Sequence, residues 1–332
     1  MLKRCFSAII LISFLAMLSG CSRRRDNAVD TAGKDSFLYL VAGLDDAANN
    51  TDVLFTVGYD AEGAVLRVAQ IPRDTYIRSA SSQNKINQIY ATRLDEGATK
   101  EEAFAYLAKE LERAFGMRLD GYLAVDLASF RELVDVLGGV EIELSHDMTF
   151  TTDTGEGITL KAGKNCISGD MAESFIRYRS GYAMGDLGRL DAQKLFLNAL
   201  FGALRGNMTL PVISRISAIC KSEAITDLSF PADIRPIIDT VRDGREKTTV
   251  FATVPGEPAI GKNGISYYVL NRKSAAEMAK SYMFAFRAFD PDRRFFDGES
   301  DAFSNIYEDD GIAIREYTAD SIKDINIIGR GI

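Results

Sequence analysis

The run of apolar and polar positions divides the chain into strands and helices of ordinary length, beginning at Phe37. Phe37–Ala42 is continuously apolar, as a buried strand is. Asp52–Tyr59 and Ala64–Ile71 read as two more strands. Asp60-Ala61-Glu62-Gly63 joins them as a hairpin turn in which Gly63 offers a positive φ. Thr99 and Glu102 make a capping box for a helix with Ala103, Phe104, Leu107, Leu111 and Phe115 at helical spacing, ended by Gly116. Tyr122–Val125 is a strand. Leu127, Phe130, Leu133, Val134 and Leu137 mark a second amphipathic helix closed by Gly138-Gly139. Val140–Leu144 alternates apolar residues with Glu141 and Glu143, as a half-exposed strand does.

The polar stretch from His146 to Gly157 reads as a loop. A helix over Gly169–Phe175 leads into Ile176-Arg177-Tyr178-Arg179, and a loop through Gly185 precedes a long helix over Leu187–Leu204. Leu190, Leu195, Ala199 and Leu204 are candidates for its buried side. Helices near 211–221 and 232–242, strands at Thr248–Val254 and Ile265–Leu270, and a helix over Ser274–Phe286 complete the pattern. Strands mixed with helices in this way predict an α/β fold with a central sheet covered by helices on both faces. The early hairpin makes that sheet mixed. Residues 37–287 read as one domain without internal repeats, and 288–332 as a tail rich in Asp, Arg and Phe.

The N-terminus has a different character. Lys3 and Arg4 precede an apolar run over residues 5–17, and Leu18-Ser19-Gly20-Cys21 follows. This is the layout of a secretory signal. The last four residues resemble the lipobox of bacterial lipoproteins, which places a lipid on Cys21 and makes 1–21 the signal peptide. The other reading is an uncleaved anchor, for which the run is short and Arg23, Arg24 and Arg25 lie on the wrong side. Either way the chain is exported and tethered to the outer face of the cytoplasmic membrane, with 22–36 as a linker. Export leaves Cys166 and Cys220 as a candidate disulfide or as two unrelated buried thiols. The net charge of −8 argues against a nucleic-acid partner.

Charged residues interrupt the apolar elements at four places. Asp45 follows the first strand and Asp52 opens the second; together they suit a divalent cation, or else simple turn chemistry. Ile71-Pro72-Arg73-Asp74 puts an arginine at a strand end, where its planar fork suits phosphate; a surface turn is the other reading. Lys85-Ile86-Asn87 brings an ammonium and an amide into one loop. If 176–179 is extended, Arg177 and Arg179 share a face, and Arg189 and Gln193 follow in the next helix. A cation near a helix N-terminus is unfavourable unless an anion is bound. Asp186 reads alternatively as the N-cap.

In their order along residues 37–205, and more loosely to about 285, these pieces resemble the LytR-CpsA-Psr family. The resemblance rests on Gly43-Leu44-Asp45, Thr51-Asp52, Ile71 to Tyr76, Lys85 to Tyr90, Val125-Asp126-Leu127, Leu133 to Val140, Arg177-Tyr178-Arg179 and Asp186 to Arg189. It implies a phosphotransferase that moves a phosphoglycosyl polymer, such as a teichoic acid or capsular polysaccharide, from a polyprenyl-pyrophosphate carrier to peptidoglycan. The lipid tail would lie in an apolar pocket between sheet and helices. Asp45 and Asp52 would hold Mg²⁺ or Mn²⁺. Arg73, Lys85, Arg177, Arg179 and Arg189 would cradle the pyrophosphate, Gln193 would support the head group, and Asp52 or Asp74 would assist proton removal.

Two positions depart from the family pattern: Asn50 stands where an arginine usually precedes Thr-Asp, and Ala192 where one usually precedes Gln193. They support an alternative, a lipoprotein that binds such a ligand without turning it over. A hydrolase triad would need His146, the only histidine, which follows a strand and precedes a polar loop. His146→Ala is therefore expected to leave turnover of a polyprenyl-pyrophosphate substrate unchanged, as measured on the purified ectodomain.

Overall fold

A computed structural model of the chain describes residues 36–45, 50–78, 83–151, 157–178, 182, 186–229, 240, 248–284 and 312–324. The signal peptide expected over 1–21, all but the last residue of the linker expected over 22–36, most of the helix expected at 232–242, and Arg179 lie outside them. Among the described residues no helix is long and apolar enough to cross a membrane.

The apolar runs become the strands β1 (Phe37–Leu44), β2 (Thr51–Asp60), β3 (Val65–Gln70), β4 (Gly121–Val125) and β10 (Thr248–Thr253), which form one sheet with two short strands the pattern does not mark, β9 (Ile225–Thr226) and β13 (Glu316–Thr318). Their order across it is β13-β10-β3-β2-β1-β4-β9. β1 pairs parallel with β4, and β3 parallel with β10; β2 lies antiparallel between β1 and β3. So β1, β3, β4 and β10 all finish at one edge, and β2 begins there. β13 comes from the segment after 287 and pairs with β10 on the sheet's outer side.

Side chains alternate across the sheet and form two cores. Leu38, Leu40, Ala42, Leu54 and Ala69 face helices α1 (Gln88–Asp95), α2 (Lys100–Phe115) and α7 (Arg272–Tyr282). Phe37, Tyr39, Phe55, Val57, Leu66 and Val68 face α3 (Leu127–Val136), α4 (Gly169–Arg177) and α5 (Asp186–Asn207). Both cores exist because the central strands β1, β2 and β3 bury residues on both faces, as a sheet covered on two sides requires. α6 (Leu210–Ser222) packs against α3.

Local chemistry explains the boundaries. The Thr99 hydroxyl accepts from the Glu102 N–H at 3.2 Å, and the Glu102 carboxylate accepts from the Thr99 N–H at 3.0 Å. Gly116 ends α2 at φ 64°. In the β2–β3 turn the positive φ falls on Ala64 rather than on Gly63. Gly63 supplies space instead: a Cβ there would lie 2.8 Å from Asp60 Oδ2. Asp60 Oδ1 accepts from the N–H groups of Glu62 and Gly63, both at 3.2 Å.

The stretch expected as a loop after His146 contains strand β6 (Met148–Thr151), paired with β7 (Gly157–Leu160). Met148, Phe150 and Leu160 point inward. β8 (Gly163–Ile167) pairs with β5 (Val140–Leu144). These strands are short and polar outside, so their period is weak in the sequence. Cys166 is exposed on β8 and Cys220 buried in α6, each a free thiol, so the candidate disulfide is absent. Cys166 instead meets the Gly138 carbonyl at 3.7 Å, and burial raises the Cys220 pKa to about 11.

Thr99→Ala removes the hydroxyl half of the capping box and leaves the Glu102 N–H without its cap. It is expected to cost about 1 kcal/mol and to lower the thermal midpoint by about 2–4 °C, read by circular dichroism.

Candidate functional site

The edge where β1, β3, β4 and β10 end is the usual ligand edge of an α/β sheet. The β1–β2 pairing slips between Gly43 and Leu44, so that Leu44 faces Thr51. Asp45 and Asp52 therefore both sit at this edge. The Asp45 N–H donates to the Asn50 carbonyl at 2.8 Å. Asn50 thus contributes backbone rather than the charge an arginine would bring.

β3 runs straight into Ile71-Pro72-Arg73-Asp74. Ile71 is buried, and the Thr75 hydroxyl donates to the Pro72 carbonyl at 2.6 Å, which fixes the turn. Arg73 Nη1 donates to Asp52 Oδ1 at 2.6 Å, and its Nε lies 3.6 Å from Asp74 Oδ2. Lys85 Nζ donates to the other Asp74 oxygen at 2.8 Å. The result is an alternating string, Asp52–Arg73–Asp74–Lys85. Its side chains are between 13% and 27% exposed, so they are shielded from water yet reachable. At such sites a charge acts more strongly than on the open surface.

The Lys85 loop is stitched in by backbone. The Thr51 N–H donates to the Asn87 carbonyl at 3.3 Å, the Asn87 N–H to the Arg73 carbonyl at 3.2 Å, and the Ile86 N–H to the Thr75 carbonyl at 3.1 Å. Three of the four clusters are thereby one construction. The Lys85 ammonium also lies 5.6 Å from the centre of the Tyr267 ring. Tyr267 belongs to the hairpin of β11 (Gly256–Ile260) and β12 (Ser266–Leu270). The hairpin joins the site where the Tyr76 N–H donates to the Tyr268 carbonyl at 2.9 Å.

The fourth cluster differs from expectation. Residues 176–177 are not extended; α4 continues through Arg177, and Tyr178 ends it. Arg177 Nη1 donates to Glu173 Oε1 at 2.7 Å, one turn earlier. That i,i+4 pair favours continued helix, so Ile176 and Arg177 do not alternate as strand residues would. Glu173 also takes Arg131 Nη1 at 3.0 Å. Arg189 is buried in the early part of α5. Gly188 admits Tyr182 there, since a Cβ would lie 2.5 Å from the Tyr182 Cβ. Burial raises the Tyr182 hydroxyl pKa, against the pull of the Arg189 charge.

Gln193 is buried and committed within the protein. It accepts from Gln70 Nε2 at 2.8 Å and donates to the Ile176 carbonyl at 3.3 Å. Ala192 is fully buried, so that position carries no cation. Glu173, Gln70, Thr253 and Lys194 are participants that sequence periodicity does not mark. His146 is exposed, with Nδ1 2.9 Å from the Ser145 hydroxyl.

Several oxygens at this edge suit a hard cation. Besides the carboxylates of Asp45 and Asp52, Thr51 Oγ1 and Asn87 Oδ1 are buried without a hydrogen-bond partner. Among the described residues no three carboxylate, histidine or cysteine side chains gather as a complete cage. These oxygens are of the hard kind that Mg²⁺ takes, and would leave the rest of its shell to water or phosphate.

The LytR_cpsA_psr family model matches residues 18–283. The cell wall biosynthesis protein LcpA of Corynebacterium glutamicum is 28% identical over 63% of this chain and 43% of its own length. The polyisoprenyl-teichoic acid–peptidoglycan teichoic acid transferase TagV of Bacillus subtilis is 26% identical over 65% of this chain and 56% of its own. The chain thus spans about half the length of these two relatives. The B. subtilis transferase TagU is 24% identical over 78% of this chain and 81% of its own. Among solved structures, B. subtilis TagV superposes with a TM-score of 0.62 at 21% identity, over 77% of this chain and all of that one. TagT bound to LIIa-WTA gives 0.60 at 20% identity, over 80% of this chain and 96% of that one. With the family model matched over most of its length, the chain belongs to the LytR_cpsA_psr family.

Proposed function

We propose that this chain transfers a phosphoglycosyl polymer from a polyprenyl-pyrophosphate carrier to peptidoglycan. The observation that carries the reading is the string Asp52–Arg73–Asp74–Lys85 at the sheet's carboxyl edge. The transferase names of the TagU and TagV relatives point the same way.

A diphosphate is recognised by cations fixed in advance, because phosphoryl transfer is accelerated mainly by stabilising negative charge spread over oxygens. Arg73 and Lys85 are fixed by their carboxylate partners before any substrate arrives. Arg177 and Arg189 bring further positive charge from α4 and α5, and Arg179 belongs to the same set. A peptidoglycan hydroxyl attacks the phosphorus next to the sugar. The new O–P bond forms as the bridging P–O bond breaks, and polyprenyl phosphate leaves with that oxygen. Asp52 and Asp74 are the carboxylates available to take the hydroxyl proton. Mg²⁺ or Mn²⁺, when held by Asp45 and Asp52, supplies further neutralisation of the diphosphate oxygens. The lipid tail is assigned to an apolar pocket between sheet and helices. A lipid on Cys21 would keep the domain at the outer face of the cytoplasmic membrane, where such carriers are. Binding without turnover is the alternative that Asn50 and Ala192 favour.

Arg73→Ala removes a charge-assisted contact worth about 1.5–3 kcal/mol, so kcat/KM should fall by about tenfold to 150-fold. The measurement is release of polyprenyl phosphate by the purified ectodomain with Mg²⁺. Asp52→Ala should lose as much or more, since it removes the shorter of the two carboxylate contacts that hold Arg73. Chelation by EDTA should abolish release and added Mg²⁺ restore it. Tight substrate binding by wild-type protein with no release would support the binding module instead.

A further inference from the structure

Behind the charged string lies a buried polar relay that the transfer reaction does not itself use. Lys194 Nζ donates to Thr253 Oγ1 at 2.7 Å, and Thr253 Oγ1 donates to Gln70 Oε1 at 3.0 Å. Gln70 Nε2 donates to Gln193 Oε1 at 2.8 Å, and Gln193 Nε2 to the Ile176 carbonyl at 3.3 Å. Every donor points the same way, from an ammonium to a main-chain carbonyl. Hydrogen bonds in such a series polarise and strengthen one another. The Lys194 charge is balanced by Asp191 Oδ1 at 2.8 Å and by the Tyr317 ring, whose centre is 5.5 Å away.

Gln70, Gln193 and Lys194 are each more than nine-tenths buried. Desolvation lowers the Lys194 pKa, with Asp191 opposing. A buried charge of this kind is poor value as pure stabilisation, because well-packed apolar residues serve as well. What the relay provides is geometry, and its end points show which geometry. Gln70 stands three residues before Arg73 on the chain. Gln193 stands one helical turn after Arg189, on the same face. Ile176 immediately precedes Arg177. One relay thus ties together three segments that each carry a cation: the end of β3, α5 and the end of α4.

We propose that Gln70, Thr253 and Lys194 are positioning residues, whose relay sets α5 and α4 against the end of β3 so that Arg73, Arg189 and Arg177 converge on one diphosphate. The proposal rests on the transferase reading. Gln193, expected to touch the head group, acts here as a link.

Thr253→Val keeps the side chain's shape and cuts the relay; Gln70→Leu cuts it at the next position; Thr253→Ser restores the hydroxyl. Steady-state kinetics with a polyprenyl-pyrophosphate-linked glycopolymer and a thermal midpoint are measured for each. Both cutting variants should lose about tenfold or more in kcat while folded at the assay temperature. KM should rise as well, because the same arginines bind the diphosphate before it reacts, and Thr253→Ser should return both kcat and KM to within about twofold of wild type. A folded Thr253→Val with wild-type kcat, or a Thr253→Ser as slow as Thr253→Val, overturns the proposal. Absence of wild-type turnover counts against the transferase reading instead. The same variants are then scored by calorimetric affinity for inorganic pyrophosphate, where about tenfold weakening supports the relay and unchanged affinity overturns it.

Discussion

Cations held close together repel one another, and the carboxylates that offset this repulsion organise the edge of the sheet. Asp52 and Asp74 hold Arg73 and Lys85 in an alternating string, and Glu173 does the same for Arg131 and Arg177. Each pair is partly buried, where opposite charges attract more strongly than on an open surface. The fold serves this requirement through strand direction. Because four strands run one way and finish together, residues far apart in sequence arrive at one edge with little freedom left.

That freedom is removed differently on the two sides of the sheet. On the side of α1, α2 and α7, apolar packing does the work. Tyr90, Phe104, Leu107 and Phe115 are fully buried, and the Lys85 loop is anchored by Ile86. On the side of α5 the helix is buried almost all round between Arg189 and Phe196, including Gln193 and Lys194. A helix in that position cannot keep its polar residues in water, so each must find a partner inside the protein. The hydrogen bonds through Gln70 and Thr253 are those partners.

Much of this is legible in the sequence because it depends on periodicity and on local chemistry. The alternation in Val140–Leu144, the capping box at Thr99 and the glycines after α2 and α3 all stand as the pattern implies. The Arg73 turn and the Lys85 loop could be placed because each adjoins an apolar run. The rest depends on contacts across the fold. Gln70 and Gln193 meet over 123 positions, and nothing in either neighbourhood announces it. Arg177 was open to misreading because Ile-Arg-Tyr-Arg alternates like a strand, while the Glu173 partner that keeps it helical lies one turn back. β6, β7 and β8 are short and half polar, which conceals them among loop residues.

β13 carries a consequence for how this protein can be handled. Glu316–Thr318 covers the open hydrogen-bonding side of β10, Tyr317 shields the Lys194 ammonium, and Glu316 accepts from the Tyr282 hydroxyl at 2.9 Å. A recombinant version trimmed at residue 283, where the family model stops, would leave β10 as a bare edge ready to pair with another chain. It would also wet a lysine that the intact fold keeps dry. The shortest well-behaved domain therefore reaches past the region by which its relatives are recognised.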